Sequence, residues 1–407
     1  MSVLTTGVTG LRTHQQAIDV IGANIANINT PGYKGAKPLF SDLLSQTLRG
    51  ETVPFGVAGG TNAQQIGLGV QLGAIQIGFN QAAVDTTGNP TDLAIQGSGL
   101  FILKDNNGAL HYSRAGNFTT DATGILVDTI TGFRVQGANG DITIQGQTVP
   151  GTATTTNVFS GNLDAGVADG TTHVATFTVN DSLGAAHVLT ITFTKNFGAA
   201  AGQWDFTVTE TDANIASLAG ASGSVTFDAL GAITAGATAP LTINYAAAAG
   251  VTTPQVVTLD FGSATNTRAV TGFAGASTLY LSSQDGNRSG TLQSVTVGTN
   301  GTVSGFYDNG TRQTLDTIQL ATFANSGGLI REGTNLFRTS GNSGIPNVGT
   351  PATGGRGALI AGALEQSNVD LSEQFSNLIS TQRGFEASAR LIRTGDELLQ
   401  TVVNLKQ

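Results

Sequence analysis

The chain has 407 residues and contains no cysteine. The absence of thiols excludes a disulfide framework, zinc sites built on thiolates and a cysteine nucleophile. The fold is therefore indifferent to the redox state of its surroundings, and the sequence is compatible with a location inside or outside a cell.

Charged residues are also scarce. Asp, Glu, Lys and Arg make up 11% of the chain, against about 25% in an average soluble domain. The 18 basic and 27 acidic residues leave a formal net charge of -9, the wrong sign for neutralising nucleic-acid phosphates. The composition therefore predicts that no nucleic acid is a partner.

Long apolar runs are missing as well. The sequence contains no apolar run long enough to cross a bilayer. The first 28 residues also lack the basic stretch and the apolar block of a secretory signal peptide. We expect no membrane insertion and no cleaved signal peptide, so export would follow another route.

The middle of the chain has the residue pattern that is typical of β strands. Between about residues 70 and 360, short alternating runs such as Thr176-Phe177-Thr178-Val179 indicate half-buried strands. Tight hairpins are predicted at Asn107-Gly108, Asn139-Gly140, Asp169-Gly170, Asp285-Gly286, Asn300-Gly301 and Asn309-Gly310. These patterns favour antiparallel sheets.

The two ends have a helical periodicity instead. Their apolar residues alternate in steps of four and three, as in the heptad seam of a helix that packs along another helix. The N-terminal seam contains Leu4, Val8, Leu11, Ile18 and Ile25, and the C-terminal seam contains Leu371, Phe375, Leu378, Phe385, Ile392 and Leu399. Pro31 predicts the end of the first helix, where Gly32 tolerates a left-handed turn. Ser367 and Asp370 are the candidate capping residues at the start of the second helix.

Both seams need a partner. Burying five such side chains contributes about 7 to 15 kcal/mol, whereas ordering about 35 residues of backbone costs about 35 to 70 kcal/mol, which hydrogen bonding offsets only in part. A lone pair of these helices is therefore marginal, and we interpret both seams as packing surfaces between copies of the chain. The alternative is an ordinary helix hairpin within one chain. Arg383 and Arg390 are candidates for charge pairs with neighbouring copies or for a solvated face.

The predicted fold is mainly β with terminal α-helices. It consists of a discontinuous α-helical coiled-coil core domain and two antiparallel β domains, the outer one inserted in the inner one. The predicted boundaries are 1–30 and 365–407 for the helical core, 31–74 for a connector, 75–150 and 311–364 for the inner β domain, and 151–310 for the inserted outer β domain.

No motif in the sequence predicts an enzyme. The four histidines His14, His111, His173 and His187 are scattered, and none has a second ligand at metal spacing. The sequence has no nucleophile elbow, phosphate loop or complete calcium loop. We therefore predict no catalytic, cofactor-binding or metal site. A pair of carboxylates that act as in glycosidases is the one catalytic arrangement that the sequence does not exclude.

One segment is specific enough to resemble a known family. Residues 22–34 resemble the signature of bacterial flagellar axial proteins, the rod and hook family. The motif residues are Asn24, Asn27, Thr30, Pro31, Gly32, Tyr33 and Lys34. Further similar segments are 87–101, 113–118, 362–371 and 382–387. Together they cover both ends and the first β domain, whereas 151–310 is less similar.

The resemblance implies a structural role. Rod members are similar at their ends but shorter, so the large predicted insertion favours the hook members. A hook subunit polymerises into a short, curved, hollow tube that acts as a universal joint and transmits motor torque. The implied partners are a homopolymer of hook subunits, the flagellar rod, the hook cap, the hook–filament junction proteins and the export apparatus, and the implied location is the extracellular flagellum. The rivals are a distal rod protein of the basal body and, from another class, a secreted β-rich adhesin or carbohydrate-binding protein.

Overall fold

A computed structural model of the chain describes residues 2–54, 59–144, 148–198, 202–246, 250–263, 266 and 268–404. Residues 405–407, which the sequence places in the helical core, lie outside these ranges. The chain divides into two compact units. Unit 1 comprises Met1–Gln145, Val295–Ser304 and Thr314–Gln407, and unit 2 comprises Gly146–Ser294 and Gly305–Gln313. The finer division into core, connector and nested β domains stays a prediction.

Helix α1 spans Ser2–Ala26 and helix α2 spans Leu371–Asn404, so the prediction of a helix at each end is confirmed. Of the two candidate caps of α2, Asp370 takes the role, because its Oδ1 accepts the backbone N–H groups of Ser372 at 2.8 Å and Glu373 at 3.1 Å. A short 3-10 turn occupies Ser326–Gly328.

The rest of the described chain is mainly β structure. In chain order, the strands before unit 2 are β1 Ala36–Asp42, β2 Ser45–Arg49, β3 Gln64–Gly67, β4 Val70–Ile77, β5 Val84–Thr86, β6 Leu93–Gln96, β7 Leu100–Lys104, β8 Leu110–Ser113, β9 Phe118–Thr120, β10 Leu126–Asp128, β11 Arg134–Gly137 and β12 Gly140–Asp141. Those that follow are β13 Thr148–Val149, β14 Thr156–Ser160, β15 Thr172–Asn180, β16 Ala186–Lys195, β17 Gln203–Glu210, β18 Ile215–Ala219, β19 Ser222–Phe227, β20 Ile233–Ala235, β21 Thr238–Tyr245, β22 Gln255–Asp260 and β23 Tyr280–Gln284. The last are β24 Gly290–Val297, β25 Thr302–Tyr307, β26 Arg312–Thr317, β27 Leu320–Thr322, β28 Ile330–Gly333, β29 Leu336–Arg338, β30 Asn347–Gly349, β31 Ala358–Ala361 and β32 Ala363–Glu365.

The segment predicted as a connector forms a two-stranded ribbon. β1 pairs antiparallel with β4, and β2 pairs antiparallel with β3. Several large apolar side chains of the ribbon are between 41% and 65% exposed, namely Leu39, Phe40, Leu43, Leu44, Leu48, Ile66 and Ile75. The ribbon contacts α1, since Thr13 Oγ1 donates to Val70 O at 3.3 Å and the ring centroids of His14 and Phe40 lie 5.6 Å apart.

The main sheet of unit 1 explains why one apolar run does not alternate. The sheet has the strand order β28-β29-β8-β7-β11-β10-β9, and β27 also pairs with β7. Central strand β7 is buried on both faces, because Phe101 and Leu103 belong to one apolar cluster while Leu100 and Ile102 belong to another. The whole run Leu100–Leu103 is therefore apolar.

Unit 2 contains two five-stranded sheets around one core. Their strand orders are β15-β16-β17-β19-β20 and β18-β21-β22-β14-β23. The predicted alternation is visible in β15, where Phe177 and Val179 are buried and Thr176 is exposed. One pair departs from the antiparallel prediction, since β14 runs parallel to β22.

Two of the six predicted hairpins are wrong. Asp169-Gly170 precedes β15, and the preceding strand β14 belongs to the other sheet of unit 2. Asp285-Gly286 links β23 and β24, which also lie in different sheets. The reason is side-chain capping: Asp285 Oδ1 accepts the N–H groups of Thr155 at 2.8 Å and Thr156 at 2.9 Å, so this turn is held at the start of β14.

Candidate functional site

The two terminal helices pack against each other within one chain. They run antiparallel, since Gly7 lies against Ile392 while Asn24 bonds to Gln374. The buried stripe of α1 consists mostly of small or polar residues, namely Gly7, Gly10, Thr13, Ala17, Ile21 and Asn24. This stripe lies beside the predicted apolar seam and does not coincide with it.

Glycine allows the close approach of the helices. A Cβ atom at Gly7 would lie 2.8 Å from Ile392 Cγ1, and one at Gly10 would lie 2.8 Å from Ser388 Oγ. On the facing helix, a Cβ at Gly384 would lie 2.5 Å from the His14 ring. Glycine is a poor helix former, but Gly7 and Gly10 are the residues through which α1 contacts α2.

The predicted seams are only partly covered in the single chain. Val8 is 50% exposed, and the other N-terminal seam residues, Leu4, Leu11, Ile18 and Ile25, are half-buried. On α2, Leu378, Phe385 and Ile392 are half-buried, whereas Leu371, Phe375 and Leu399 are 41%, 47% and 45% exposed. The role of these residues in packing between subunits stays a prediction.

The structure adds exposed apolar residues that the seam did not include. On α2, Ile379, Leu391 and Leu398 are 59%, 40% and 61% exposed. Each is adjacent in sequence to a seam position, so a wider apolar stripe than the strict four-three pattern would have found them. Arg383 contacts Glu386 of its own helix at 3.6 Å.

Asn24 holds the chain that leaves α1. Its buried amide Nδ2 donates to Ala36 O at 2.7 Å and to Gln374 Oε1 at 3.0 Å. Its Oδ1 accepts from Ala36 N at 2.9 Å and from the Tyr33 hydroxyl at 3.4 Å. One side chain therefore joins the end of α1, the first strand of the ribbon and the start of α2.

The turn that follows is fixed by local and distant bonds. Asn27 Nδ2 donates to Ala23 O at 2.9 Å, and Thr30 Oγ1 donates to Asn27 Oδ1 at 3.2 Å. Pro31 O accepts from Asn335 Nδ2 at 2.9 Å. Gly32 has φ +69°, which confirms the left-handed turn expected of this glycine.

A buried charge cluster lies directly behind this turn. Lys34 Nζ donates to Glu365 Oε1 at 2.8 Å, and both side chains are fully buried. Arg114 Nε donates to the other carboxylate oxygen, Glu365 Oε2. Ala82 N also donates to Glu365 Oε1, at 2.9 Å. The three charged residues are 80 to 331 positions apart, and the sequence contains no periodicity that relates them.

The cluster has two cations for one carboxylate, so backbone carbonyl oxygens accept the remaining N–H groups of the two cations. The accepting carbonyls are Asn80 for Lys34, and Ile95, Gly97 and Gly99 for Arg114. Burial lowers the pKa of the Lys34 amine from its ordinary value, and the hydrogen bond to Glu365 acts in the opposite direction. Such a cluster depends most on its shared carboxylate, because removing Glu365 leaves two buried charges without their counter-ion.

Two further side chains hold the same segment. Arg331 donates to Lys34 O and, at 3.2 Å, to the Tyr33 hydroxyl, and its guanidinium carbon lies 4.8 Å from the Tyr33 ring centroid. Asn368 Oδ1 accepts from Gly35 N at 2.7 Å, and its Nδ2 donates to Gly78 O at 2.7 Å. The N-terminal motif, the C-terminal motif and the main sheet of unit 1 therefore meet at one buried anchor.

Two glycines of the motif should respond in opposite ways to alanine. Gly22 lies inside α1, and a Cβ atom added there would have nothing within 4 Å, so Gly22→Ala should raise the free energy of unfolding by about 0.5–1 kcal/mol. At Gly32 the positive φ is strained for alanine, and the Cβ would lie 2.5 Å from Ala115 N. Gly32→Ala should lower that free energy by at least about 2 kcal/mol. Urea unfolding followed by far-UV circular dichroism tests both, and equal effects would contradict this account.

The described residues do not assemble a metal centre: within them, no group of three or more His, Asp or Glu side chains is placed to hold an ion. His187 of unit 2 lies between two carboxylates, with Nδ1 2.5 Å from Asp212 Oδ2 and Nε2 3.3 Å from Asp181 Oδ2. The sequence did not indicate this buried cluster. Neither described helix is long and apolar enough to span a membrane.

Comparison with known families matches four parts of the chain. The family described as Flagella basal body rod protein matches residues 4–34, and the Flagellar hook protein FlgE/F/G D1 domain matches 94–160. The Flagellar basal body protein FlaE D2 domain matches 148–287, and the Flagellar basal body rod FlgEFG protein C-terminal family matches 360–405.

Individual proteins are similar over the whole length. The flagellar hook protein FlgE of Treponema pallidum is 37% identical over 464 residues, covering 100% of both chains. The flagellar hook protein FlgE of Escherichia coli is 33% identical and covers 98% of each chain. The flagellar basal-body rod protein FlgG of Bacillus subtilis is 29% identical and covers 99% of this chain and 98% of its own. On this full-length similarity, the chain belongs to the flagellar hook protein family.

Proposed function

We propose that the chain is a structural subunit of the flagellar hook, which polymerises through the uncovered apolar faces of its terminal helices. The observation that carries the proposal is the arrangement of α1 and α2. They pair through glycines and small residues and leave Val8, Phe375 and Leu399 between 45% and 50% exposed. Exposed apolar stripes of this kind mark interaction surfaces.

The geometry of the helix pair supports an open polymer. A face that meets a different face of the next copy generates a ring or an open helix, depending on whether the rotation closes. The N-terminal seam lies beside the intramolecular contact of α1 and α2. Of the C-terminal seam, Ile392 takes part in that contact, whereas Phe375 and Leu399 are 47% and 45% exposed, so a neighbouring copy can cover the exposed residues without separating the helices. The exposed apolar side chains of the ribbon offer a second contact area in the same unit.

The buried anchor supports this role by fixing where the helices begin and end. Lys34, Arg114 and Glu365 join the exit from α1 and the approach to α2 to the main sheet of unit 1. A load applied to the helices would thus pass into the sheet through charged hydrogen bonds, which are stronger than neutral ones. This suits a subunit that transmits torque and has no catalytic role.

The outer face of one sheet in unit 2 supports the bending that a curved tube requires. Thr176, Thr190 and Thr209 lie side by side across β15, β16 and β17. Short hydroxyl side chains do not interlock as long charged ones do, so we propose that copies shift past each other at such faces as the hook bends.

The partners proposed for the subunit follow from a hook function. They are further copies of the chain, the flagellar rod, the hook cap, the hook–filament junction proteins and the export apparatus. We propose an extracellular location on the flagellum, reached by an export route without cleavage of a signal peptide. A hook function is favoured over a distal rod function because the two hook relatives are more similar to the chain than the rod relative.

Removing residues 1–28 should abolish polymerisation, because α1 supplies one seam and covers part of α2. The full-length chain, concentrated and imaged by electron microscopy, should form curved tubes of uniform width, and the deletion variant should stay dispersed at the same concentration. An adhesin or carbohydrate-binding protein would form no tubes in either case. Tubes that persist without residues 1–28 would refute assembly through the terminal helices.

A further inference from the structure

The chain contains four Asn-Gly pairs, at Asn107-Gly108, Asn139-Gly140, Asn300-Gly301 and Asn309-Gly310. In such a pair the backbone nitrogen of glycine can attack the asparagine side-chain carbonyl carbon, because glycine has no Cβ to obstruct the approach. A bond forms between the Gly nitrogen and Asn Cγ, the bond from Cγ to the amide nitrogen breaks, and ammonia leaves with the transferred proton. Water then opens the five-membered ring to aspartate or isoaspartate.

The reaction requires a side-chain amide and a glycine N–H that are free to move, and three of the pairs are restrained. Asn309 Nδ2 donates to Arg288 O at 2.8 Å, and its Oδ1 accepts from Thr311 N at 2.9 Å. Asn139 Nδ2 donates to Asp316 Oδ1 at 3.2 Å. Asn300 Oδ1 accepts from Thr302 N at 3.1 Å.

Asn107 differs from the other three. Its side chain is exposed and makes no hydrogen bond to any residue that the structure describes. The N–H of Gly108 donates to Asp105 O at 3.2 Å, a longer bond than those of Gly301 at 2.9 Å and Gly310 at 3.0 Å. A Cβ atom added at Gly108, Gly140 or Gly310 would have nothing within 4 Å, whereas at Gly301 it would lie 2.8 Å from Ile318 O. The side-chain amide is therefore the least restrained at Asn107, and the N–H of Gly108 is held less closely than those of Gly301 and Gly310.

We propose that Asn107 is a site of covalent self-modification, at which the folded subunit converts asparagine to aspartate or isoaspartate with release of ammonia. The product adds a negative charge to the turn between β7 and β8. Asp105 and Glu332 already lie on either side of His111 here, with Glu332 Oε2 2.8 Å from His111 Nδ1. The isoaspartate form also adds one carbon to the backbone of this turn, which changes its fit to the hairpin.

The test is to incubate the purified full-length subunit at mildly alkaline pH and follow all four sites by proteolysis and mass spectrometry. Incubation in ¹⁸O-labelled water marks each ring-opening event. We expect Asn107 to react at least about fivefold faster than each restrained site. The reason is that a side-chain hydrogen bond must break before a restrained asparagine can react. Asn107→Gln should remove this fast phase and leave the other three rates unchanged.

Unfolding in urea supplies the decisive control. The four rates should converge when the hydrogen bonds of Asn139, Asn300 and Asn309 are lost. The proposal is overturned if another pair reacts as fast as Asn107 in the folded chain, or if no modified Asn107 peptide forms. A spread of rates that persists unchanged in urea would also overturn it, because local sequence would then be the cause.

Discussion

Glu365→Ala should lower the free energy of unfolding of unit 1 by about 3–5 kcal/mol. The substitution leaves Lys34 and Arg114 buried without their carboxylate, since Glu365 contacts Lys34 at 2.8 Å with both side chains fully buried. It also removes the acceptor of the Ala82 N–H. Lys34→Met should cost less, below about 2 kcal/mol, because the pair of Glu365 and Arg114 remains and the buried amine, whose pKa burial lowers, is replaced by an apolar group.

The chain offers a separate optical signal for each unit. Both long helices belong to unit 1, and the single tryptophan, Trp204, is buried in unit 2. Glu365→Ala should shift the urea transition seen by far-UV circular dichroism and leave that of tryptophan fluorescence in place. Arg383→Gln, which breaks an exposed pair, is the matched control and should change the free energy by less than about 1 kcal/mol. Equal shifts of both signals after Glu365→Ala would refute a local anchor.

Leu398→Asp should raise the critical concentration for polymerisation roughly ten- to a hundredfold. Leu398 is 61% exposed in the single chain, and covering such a side chain in an assembly contributes about 1.5–3 kcal/mol. The new charge would also oppose burial in an apolar contact. Sedimentation of polymer at a series of subunit concentrations measures the effect.

Asn377→Asp is the matched control for charge, because it places the same carboxylate at an exposed polar position of the same helix. It should leave the critical concentration within about threefold of the unmodified chain, the effect of an exposed charge pair. Far-UV circular dichroism should show unchanged helix content in both variants. A Leu398→Asp chain that assembles at the original concentration would place the subunit contact elsewhere.

The elements that sequence reasoning located best are those with a local physical signature. A four-three apolar spacing needs only one helix to be recognised, and α1 and α2 lie where the seams predict them. The cap at Asp370 and the left-handed turn at Gly32 depend on neighbouring backbone atoms, so they are readable too. Alternation predicted Phe177 and Val179 as the inward residues of β15 for the same reason.

Sequence reasoning was wrong or gave no prediction where a distant group competes with a local preference. Asp285-Gly286 has the composition of a hairpin turn, but its carboxylate is held by Thr155 and Thr156, about 130 residues earlier. Gly7 and Gly10 are poor for an isolated helix, yet the approach of α2 makes them the contact residues. The run at β7 is apolar throughout because two clusters cover its two faces.

The sequence by itself determined the class of the chain: β structure with a helix at each end, and a signature that resembles flagellar axial proteins. Periodicity, turn residues and charge are properties of short segments, so they can be interpreted without a partner. Only the tertiary structure decided that α1 buries mostly its small and polar residues and leaves its apolar seam partly exposed, and that Lys34, Arg114 and Glu365 meet. Both results depend on which distant segments are neighbours, and a buried charge reveals its role only when its compensating groups are in place.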